Sequence, residues 1–204
     1  LNLDLINDSL EQKSWFFQED FFEKELCRQI TETYFNKEKK CLFSEAKIGK
    51  GNKKVQNTSI RKSETKWIES QDISPAISRL NLLLEEIKNS TSNYFRISLK
   101  RFESQFAIYN SGGFYKAHFD QHGNSKHRLI SCVIYLNDCS KGGELVLYKK
   151  GSKTQIDKVI SPKAGSIVLF FSADIFHEVK LVIDHRQSIS TWFRDDEIPP
   201  FIPL

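Results

Sequence analysis

Apolar side chains recur at every fourth position through Phe22, Leu26, Ile30 and Tyr34, the spacing of one helix face. A helix is therefore expected over Glu19 to Phe35, with Glu19 and Asp20 near the positive end of its dipole. A second helix is expected over Ile73 to Asn93. It opens on Ser74-Pro75, a cap followed by proline at the first helical position, and carries Ile77, Leu80, Leu84 and Ile87 at helical spacing. Residues 1–13, polar with scattered Leu and Ile, read as a short helix, and Ser14 to Gln18 as an aromatic strand. From Tyr94 onward the pattern changes to short runs bounded by turn residues. Strands are expected over 97–102, 105–110, 114–118, 129–136, 144–148, 155–159, 166–171, 176–179 and 187–193, punctuated by Gly112-Gly113, Gly142-Gly143, Gly151 and Pro162 to Gly165. So many short strands after the helices predict an α+β chain, mainly β, built as a sandwich or open barrel with helices on one side.

Composition narrows the picture. A chain of 204 residues with 39% hydrophobic content suits one core better than two, so a single domain over 1–204 is expected. Within it we separate a helical part to about residue 95, a β core over about 96–194 and an extended tail over 195–204. Sixteen Phe residues fit a sheet-rich interior. A net charge of +4 gives no strong case for a nucleic-acid partner, and the clustered lysines read as solvated loops. Cys27, Cys41, Cys132 and Cys139 form no C-x-x-C pair and are too sparse for a disulfide framework, which points to a reducing, cytoplasmic setting. No apolar run is long enough to span a membrane, and Leu1 does not begin a secretion signal. The chain contains no Met, which leaves room for a leader ahead of Leu1.

Candidate chemistry centres on Tyr109 to Asp120, Y-N-S-G-G-F-Y-K-A-H-F-D. His118 and Asp120 stand two apart, a separation that in a strand sends both side chains to one face. With His177 from a distant strand they would make two imidazoles and one carboxylate on one side of an ion, the arrangement of non-heme Fe(II) oxygenases that keep open positions. Nine residues after His177 comes Arg186, and in R-Q-S-I-S-T-W-F the alternation puts Arg186, Ser188, Ser190 and Trp192 on one face. A buried guanidinium needs a partner, and a dicarboxylate suits its planar fork of donors. His122, His127 and His185 are assigned ordinary surface or rim roles.

The motifs H-F-D at 118–120, P-K-A-G-S-I-V-L-F-F at 162–171, and H-E-V followed by R-Q-S-I-S-T-W-F resemble the Fe(II) and 2-oxoglutarate dependent dioxygenases, more narrowly the prolyl 4-hydroxylase group. The resemblance runs over roughly Ser14 to Phe193. It implies a double-stranded β-helix, or jelly roll, with Fe(II) held by His118, Asp120 and His177. It further implies 2-oxoglutarate bound by Arg186 with Tyr135, Tyr109 and Ser190 around it, O2 as oxidant and ascorbate as an accessory reductant. The implied reaction converts 2-oxoglutarate to succinate and CO2 while a C–H bond of a proline-containing protein or peptide is hydroxylated. Arg128, at the substrate entrance, Arg61 and Trp192 are the implied substrate contacts, and no catalytic acid or base is required beyond the metal ligands. G-K-G-N-K-K at 49–54 reads as a mobile loop and resembles the family's lid. After it the family pattern I-R-G-D-x-x-x-W-I is met by Ile60, Arg61, Trp67 and Ile68, while Lys62 and Ser63 replace its Gly and Asp. Either Glu64 supplies the missing carboxylate or the segment is anchored differently.

Three other readings are open at this point. One is a hydroxylase of a free amino acid or small metabolite on the same scaffold. Another is a catalytically silent jelly-roll binding module, against which the intact His118, Asp120, His177 and Arg186 argue. The third, a nucleic-acid demethylase of the same superfamily, usually carries an N-x-T-x-R-like run that is missing here.

Overall fold

The computed structural model describes residues 2–36, 42–46, 58–69 and 71–197. Its elements in chain order are α1 (Leu3–Lys13), β1 (Trp15–Gln18), α2 (Lys24–Tyr34), β2 (Ser44–Glu45), β3 (Arg61–Lys62), β4 (Glu64–Trp67) and α3 (Pro75–Phe95). There follow β5 (Arg101–Tyr109), β6 (Phe114–His118), β7 (Arg128–Tyr135), β8 (Leu145–Tyr148), β9 (Ile156–Ile160), β10 (Ile167–Phe171), β11 (His177–Val179) and β12 (Arg186–Arg194). A seven-stranded sheet runs β1-β10-β7-β12-β5-β4-β2, and a five-stranded sheet runs β3-β6-β11-β8-β9. Every pairing is antiparallel. The plan is the helix-flanked jelly roll that the resemblance implied.

Strand alternation divides the interior into two cores. On β5, β7 and β12 one face, with Phe106, Ile130, Ile134, Ile189 and Phe193, packs with α1, α2 and α3 through Ile6, Leu10, Leu26, Ile30, Ile77, Leu80, Leu84 and Ile87. The opposite face, with Ala107, Tyr109, Val133 and Tyr135, meets Leu145, Leu147 and Val179 of the smaller sheet. Helices therefore cover the large sheet on its outer face only. That leaves the space between the sheets as the place where inward side chains of both can converge.

Some boundaries differ from the sequence reading. The helix expected from Glu19 starts at Lys24, because the preceding residues are diverted: Asp20 has φ +50°, and the Phe22 N–H donates to the Gly165 carbonyl at 2.8 Å. Gly165 itself has φ +84°, and a Cβ there would come within 2.4 Å of the Phe22 oxygen, so this junction requires glycine. Phe22 is still buried with Leu26, Ile30 and Tyr34, so the fourfold spacing marks the right face on a shorter helix. α3 begins as read, with the Ser74 side chain accepting from the Ile77 N–H and proline in the first turn. The strands expected at 97–102 and 105–110 are one strand, β5, since its whole length pairs with β12 from Arg101↔Arg194 to Tyr109↔Arg186. The loop expected at 49–54, Cys41 and the tail beyond Glu197 lie outside the described residues.

The end of the β core is fastened by charge. Asp196 receives Arg194 at 2.7 Å and Arg101 at 3.1 Å. The hydrogen bond from Arg194 outweighs burial and, with both arginine charges, holds the Asp196 carboxyl far below its ordinary value. A carboxylate depressed in the folded state stabilises it above its unfolded pKa, about 3.9, and loses that contribution as pH falls through the folded value. Asp196→Asn should therefore lower the melting temperature at pH 7, by the equivalent of roughly 1 to 2 kcal/mol. The gap between the melting curves of variant and parent should narrow as pH falls from about 4 to about 2; a gap that is constant with pH would show that the carboxylate charge is not what matters.

Candidate active site

The segment from Arg61 to Trp67 crosses between the two sheets. β3 pairs with β6 through Arg61↔Tyr115 and Lys62↔Phe114, and after Ser63 alone the chain joins β5 through Glu64↔Ile108. Arg61 is thereby set at the mouth between the sheets, its Nε donating to the Ser63 hydroxyl at 2.7 Å. Its guanidinium lies 4.6 Å from the Tyr115 ring centre, and Tyr115 in turn stacks on His118 at 3.7 Å. Ser63, which stands where the family pattern has Asp, thus works as an acceptor for Arg61. Glu64 does not pair with Arg61; it accepts from Asn110 at 2.9 Å. Anchoring by another route is the alternative that the structure supports.

His118 ends β6 and is the direct cross-strand partner of His177 on β11. Asp120 follows two residues on, and one donor atom from each of the three lies within 4.8 Å of the others. The Nδ1 atoms of the two histidines face main-chain carbonyls of their own segments, His118 to Lys116 at 2.8 Å and His177 to Ile175 at 3.0 Å. With those carbonyls taking the Nδ1 protons, the Nε2 lone pairs are left turned toward Asp120. The carboxylate is held just as firmly: its Oδ2 accepts from Ser131 at 2.7 Å and from the Trp192 indole at 2.9 Å. Its Oδ1 lies 3.4 Å from His118 Nε2. Burial alone would raise the Asp120 carboxyl, but the His177 and His118 imidazoles that face it and the Ser131 hydroxyl that donates to it keep it well below the carboxylate range. Burial, aided by His118, lowers His177 to about 4 against the pull of Asp120. At neutral pH the site therefore offers a neutral His177 imidazole and an anionic oxygen, the protonation states that a metal ion needs.

Arg186 lies on the same inner face and is 2% exposed. It sits 4.8 Å from the Tyr109 ring centre and 5.0 Å from that of Tyr135. One guanidinium nitrogen donates to Ser188 at 3.1 Å, yet Nε has no partner, and the buried Tyr135 hydroxyl has none either. Among the described residues no carboxylate pairs with Arg186. Burial raises the Tyr135 phenol while the nearby guanidinium charge opposes it, so the two feel each other without meeting in a well-formed hydrogen bond. One cavity is lined by His118, Asp120, His177, Tyr109, Arg186 and Ser190, with Arg61 and Trp192 also on its wall. Burying a cation without a counter-ion is costly, so the inner end of this cavity is built for an anion.

Arg128 takes a different place from these. It pairs with Glu103 at 2.7 Å and lies 3.7 Å from the Trp192 ring centre, behind the indole that donates to Asp120. Glu103 also accepts from Arg194 at 2.9 Å. The His127 imidazole meets Asp195 at 2.8 Å, and the His122 ring faces the Asp120 carbonyl at 3.3 Å. Sequence reasoning did not find Ser131 and Ser172, which are joined to each other at 2.8 Å and brace the carboxylate, nor Gln105 on the cavity wall. Inward alternation along β7 and β5 was the available signal for Ser131 and Gln105, but serine and glutamine carry no motif of their own.

Residues 104–194, which hold nearly all of this arrangement, match the family model of the 2OG-Fe(II) oxygenase superfamily. Those residues form a 2OG-Fe(II) oxygenase domain. That makes the chain an enzyme of the 2-oxoglutarate-dependent dioxygenase type, whose family works with Fe(II), 2-oxoglutarate and O2. Solved structures of similar fold include a Pseudomonas putida prolyl-4-hydroxylase, 24% identical over 96% of this chain and 100% of that one, with a TM-score of 0.83. A Trichoplax adhaerens prolyl hydroxylase in complex with a peptide fragment of the oxygen degradation domain of hypoxia inducible factor is 20% identical over 95% of this chain and 89% of its own, also at 0.83. A viral collagen prolyl hydroxylase from Paramecium Bursaria Chlorella virus-1 is 18% identical over 91% and 98%, at 0.64. These likenesses establish the oxygenase's jelly-roll fold. No helix among the described residues is long and apolar enough to cross a membrane.

Proposed function

We propose that this oxygenase is a peptidyl-prolyl 4-hydroxylase acting on a cytosolic protein, as one domain over the whole chain. The observation that carries the co-substrate assignment is the buried, carboxylate-free Arg186 in the same cavity as His118, Asp120 and His177. The donor set fits Fe(II): two imidazoles with free Nε2 atoms and one carboxylate, converging from one side. The Arg186 fork and the Tyr135 hydroxyl fit the distal carboxylate of 2-oxoglutarate, with Tyr109 and Ser190 as the walls beside it.

Fe(II) held by His118, Asp120 and His177 would activate O2, one oxygen atom going to succinate as 2-oxoglutarate loses CO2 and the other to an unactivated C–H bond. The protein's own contribution is placement. Ser131 and Trp192 orient Asp120, the Lys116 and Ile175 carbonyls orient the imidazoles, and Arg186 sets the reach of the co-substrate. Ascorbate is included as the accessory reductant. Arg61 and Trp192 stand at the mouth as substrate contacts, with Arg128 acting from behind the Trp192 ring.

A peptide is favoured over a small metabolite because the cavity opens outward. A groove of about 490 Å³, lined by Leu42, Thr65, Lys66, Trp67 and Glu69, shares Arg61 and Gln105 with the metal cavity. Its volume and its continuity with the metal cavity through Arg61 and Gln105 suit a polypeptide. The free thiols Cys27, Cys132 and Cys139 support a reducing compartment. The test is Fe(II)-dependent succinate formation, followed with and without a panel of proline peptides, with mass spectrometry for a gain of one oxygen on proline. Stimulation by a peptide with that gain is expected. Stimulation only by a free amino acid or small metabolite would refute the peptide reading, and no succinate under any condition would refute the enzyme.

A further inference from the structure

We propose that Gln105 reads the main chain of the substrate, its side-chain amide donating a hydrogen bond to a carbonyl that flanks the bound proline. The inference rests on the peptide reading above and adds to it a residue that fixes the substrate's orientation.

Gln105 lies in the middle of β5, on the inner face shared with Ala107 and Tyr109. Its cross-strand neighbours are Trp67 on β4 and Ser190 on β12, so it stands between an exposed indole of the groove and the co-substrate end of the cavity. It lines both the metal cavity and the outer groove, the position of a side chain at a threshold. The residue as a whole is 6% exposed, its amide has no hydrogen-bond partner among the described residues, and its polar atoms are not sealed from the cavities they line. An amide brings two N–H donors and an acceptor oxygen, and on a cavity wall with no partner from the protein they are left available to a bound molecule. A strand position facing a jelly-roll interior would ordinarily be apolar, as at Ala107 two residues on.

The chemistry of proline decides which half of the amide is used. The nitrogen of an X-Pro bond has no hydrogen, so the main-chain groups nearest the ring are carbonyls, which only accept. The matching half of Gln105 is its NH2 group. A donor placed there would hold the peptide by the one polar feature common to every proline, and leave its side-chain neighbours to the groove around Trp67.

The experiment uses the iron-loaded enzyme with the proline peptide that best stimulates the parent. Gln105→Leu removes both donor and acceptor at similar volume; Gln105→Glu keeps the size and the acceptor and removes the donors. Both are expected to raise KM for the peptide about tenfold or more, Glu at least as much as Leu, with melting temperatures no lower than the parent's. A packing role would lower the melting temperature instead, and a co-substrate role would raise KM for 2-oxoglutarate. Gln105→Leu with the parental peptide KM overturns the proposal. Loss in Leu but retention in Glu overturns the donor assignment. A parent stimulated by no proline peptide overturns the peptide reading itself, which is a distinct result.

Discussion

Asp120→Ala is expected to abolish iron-supported turnover and weaken metal binding by well over a hundredfold. The carboxylate is the single anion of the proposed ligand set, and loss of a residue that merely supports a ligand already costs about 10- to 100-fold in such sites. It is also the acceptor for Ser131 and Trp192; Ser131 keeps Ser172 as a partner, but truncation leaves the Trp192 indole N–H unpaired, at about 1 to 3 kcal/mol where it stays dry. The metal-free variant should therefore melt below the parent and, unlike the parent, gain nothing from added metal. Calorimetric titration with Mn(II) as a redox-stable probe, together with succinate formation under Fe(II), measures both effects. Turnover at the parental rate would remove His118, Asp120 and His177 from the assignment.

Arg186→Met should have the opposite balance. Methionine fills much of the same volume without a charge, so the metal-free protein should be as stable as the parent or more so, because a cation that is 2% exposed and has no carboxylate partner among the described residues is an unfavourable thing to bury. The loss falls on binding. A paired guanidinium–carboxylate contact comprises charge-assisted hydrogen bonds of about 1.5 to 3 kcal/mol each, so affinity for 2-oxoglutarate should fall by about a hundredfold or more while Mn(II) affinity changes little. In the parent, 2-oxoglutarate at a hundred times its Kd should add about 2.7 kcal/mol of stability; in the variant at the same concentration that gain should vanish. Equal losses of metal and co-substrate affinity would mean a collapsed cavity and would refute the specific role.

This exchange of stability for binding explains why Arg186 stood out in the sequence. A strand that alternates Arg186, Ser188, Ser190 and Trp192 against Gln187, Ile189, Thr191 and Phe193 has one polar face, and the structure turns that face inward. The reading of Arg128 as a residue of the substrate entrance came from its place in the family pattern. The partner that decides what Arg128 does is Glu103, twenty-five positions away, and no periodicity links them. The segment 61–67 escaped detection as strand for a related reason: its two- and four-residue strands exist only because two different sheets each offer an edge to pair with.

What the order of residues settled was local: α1 and α3, the apolar face of α2, the alternation of β12, and the pairing of His118 with Asp120 on one side of the chain. These follow from periods of 3.6 and 2, which are properties of a backbone segment whatever surrounds it. The folded chain alone decided that His177 faces His118 across β11 and β6, that β5 is one strand, that Asp120 is braced by Ser131 and Trp192, and that Arg186 lies buried without a carboxylate partner among the described residues while Gln105 lines the cavity beside it. Cross-strand register and burial are set by contacts between residues far apart in the chain, and such contacts have no signature in any single stretch of it.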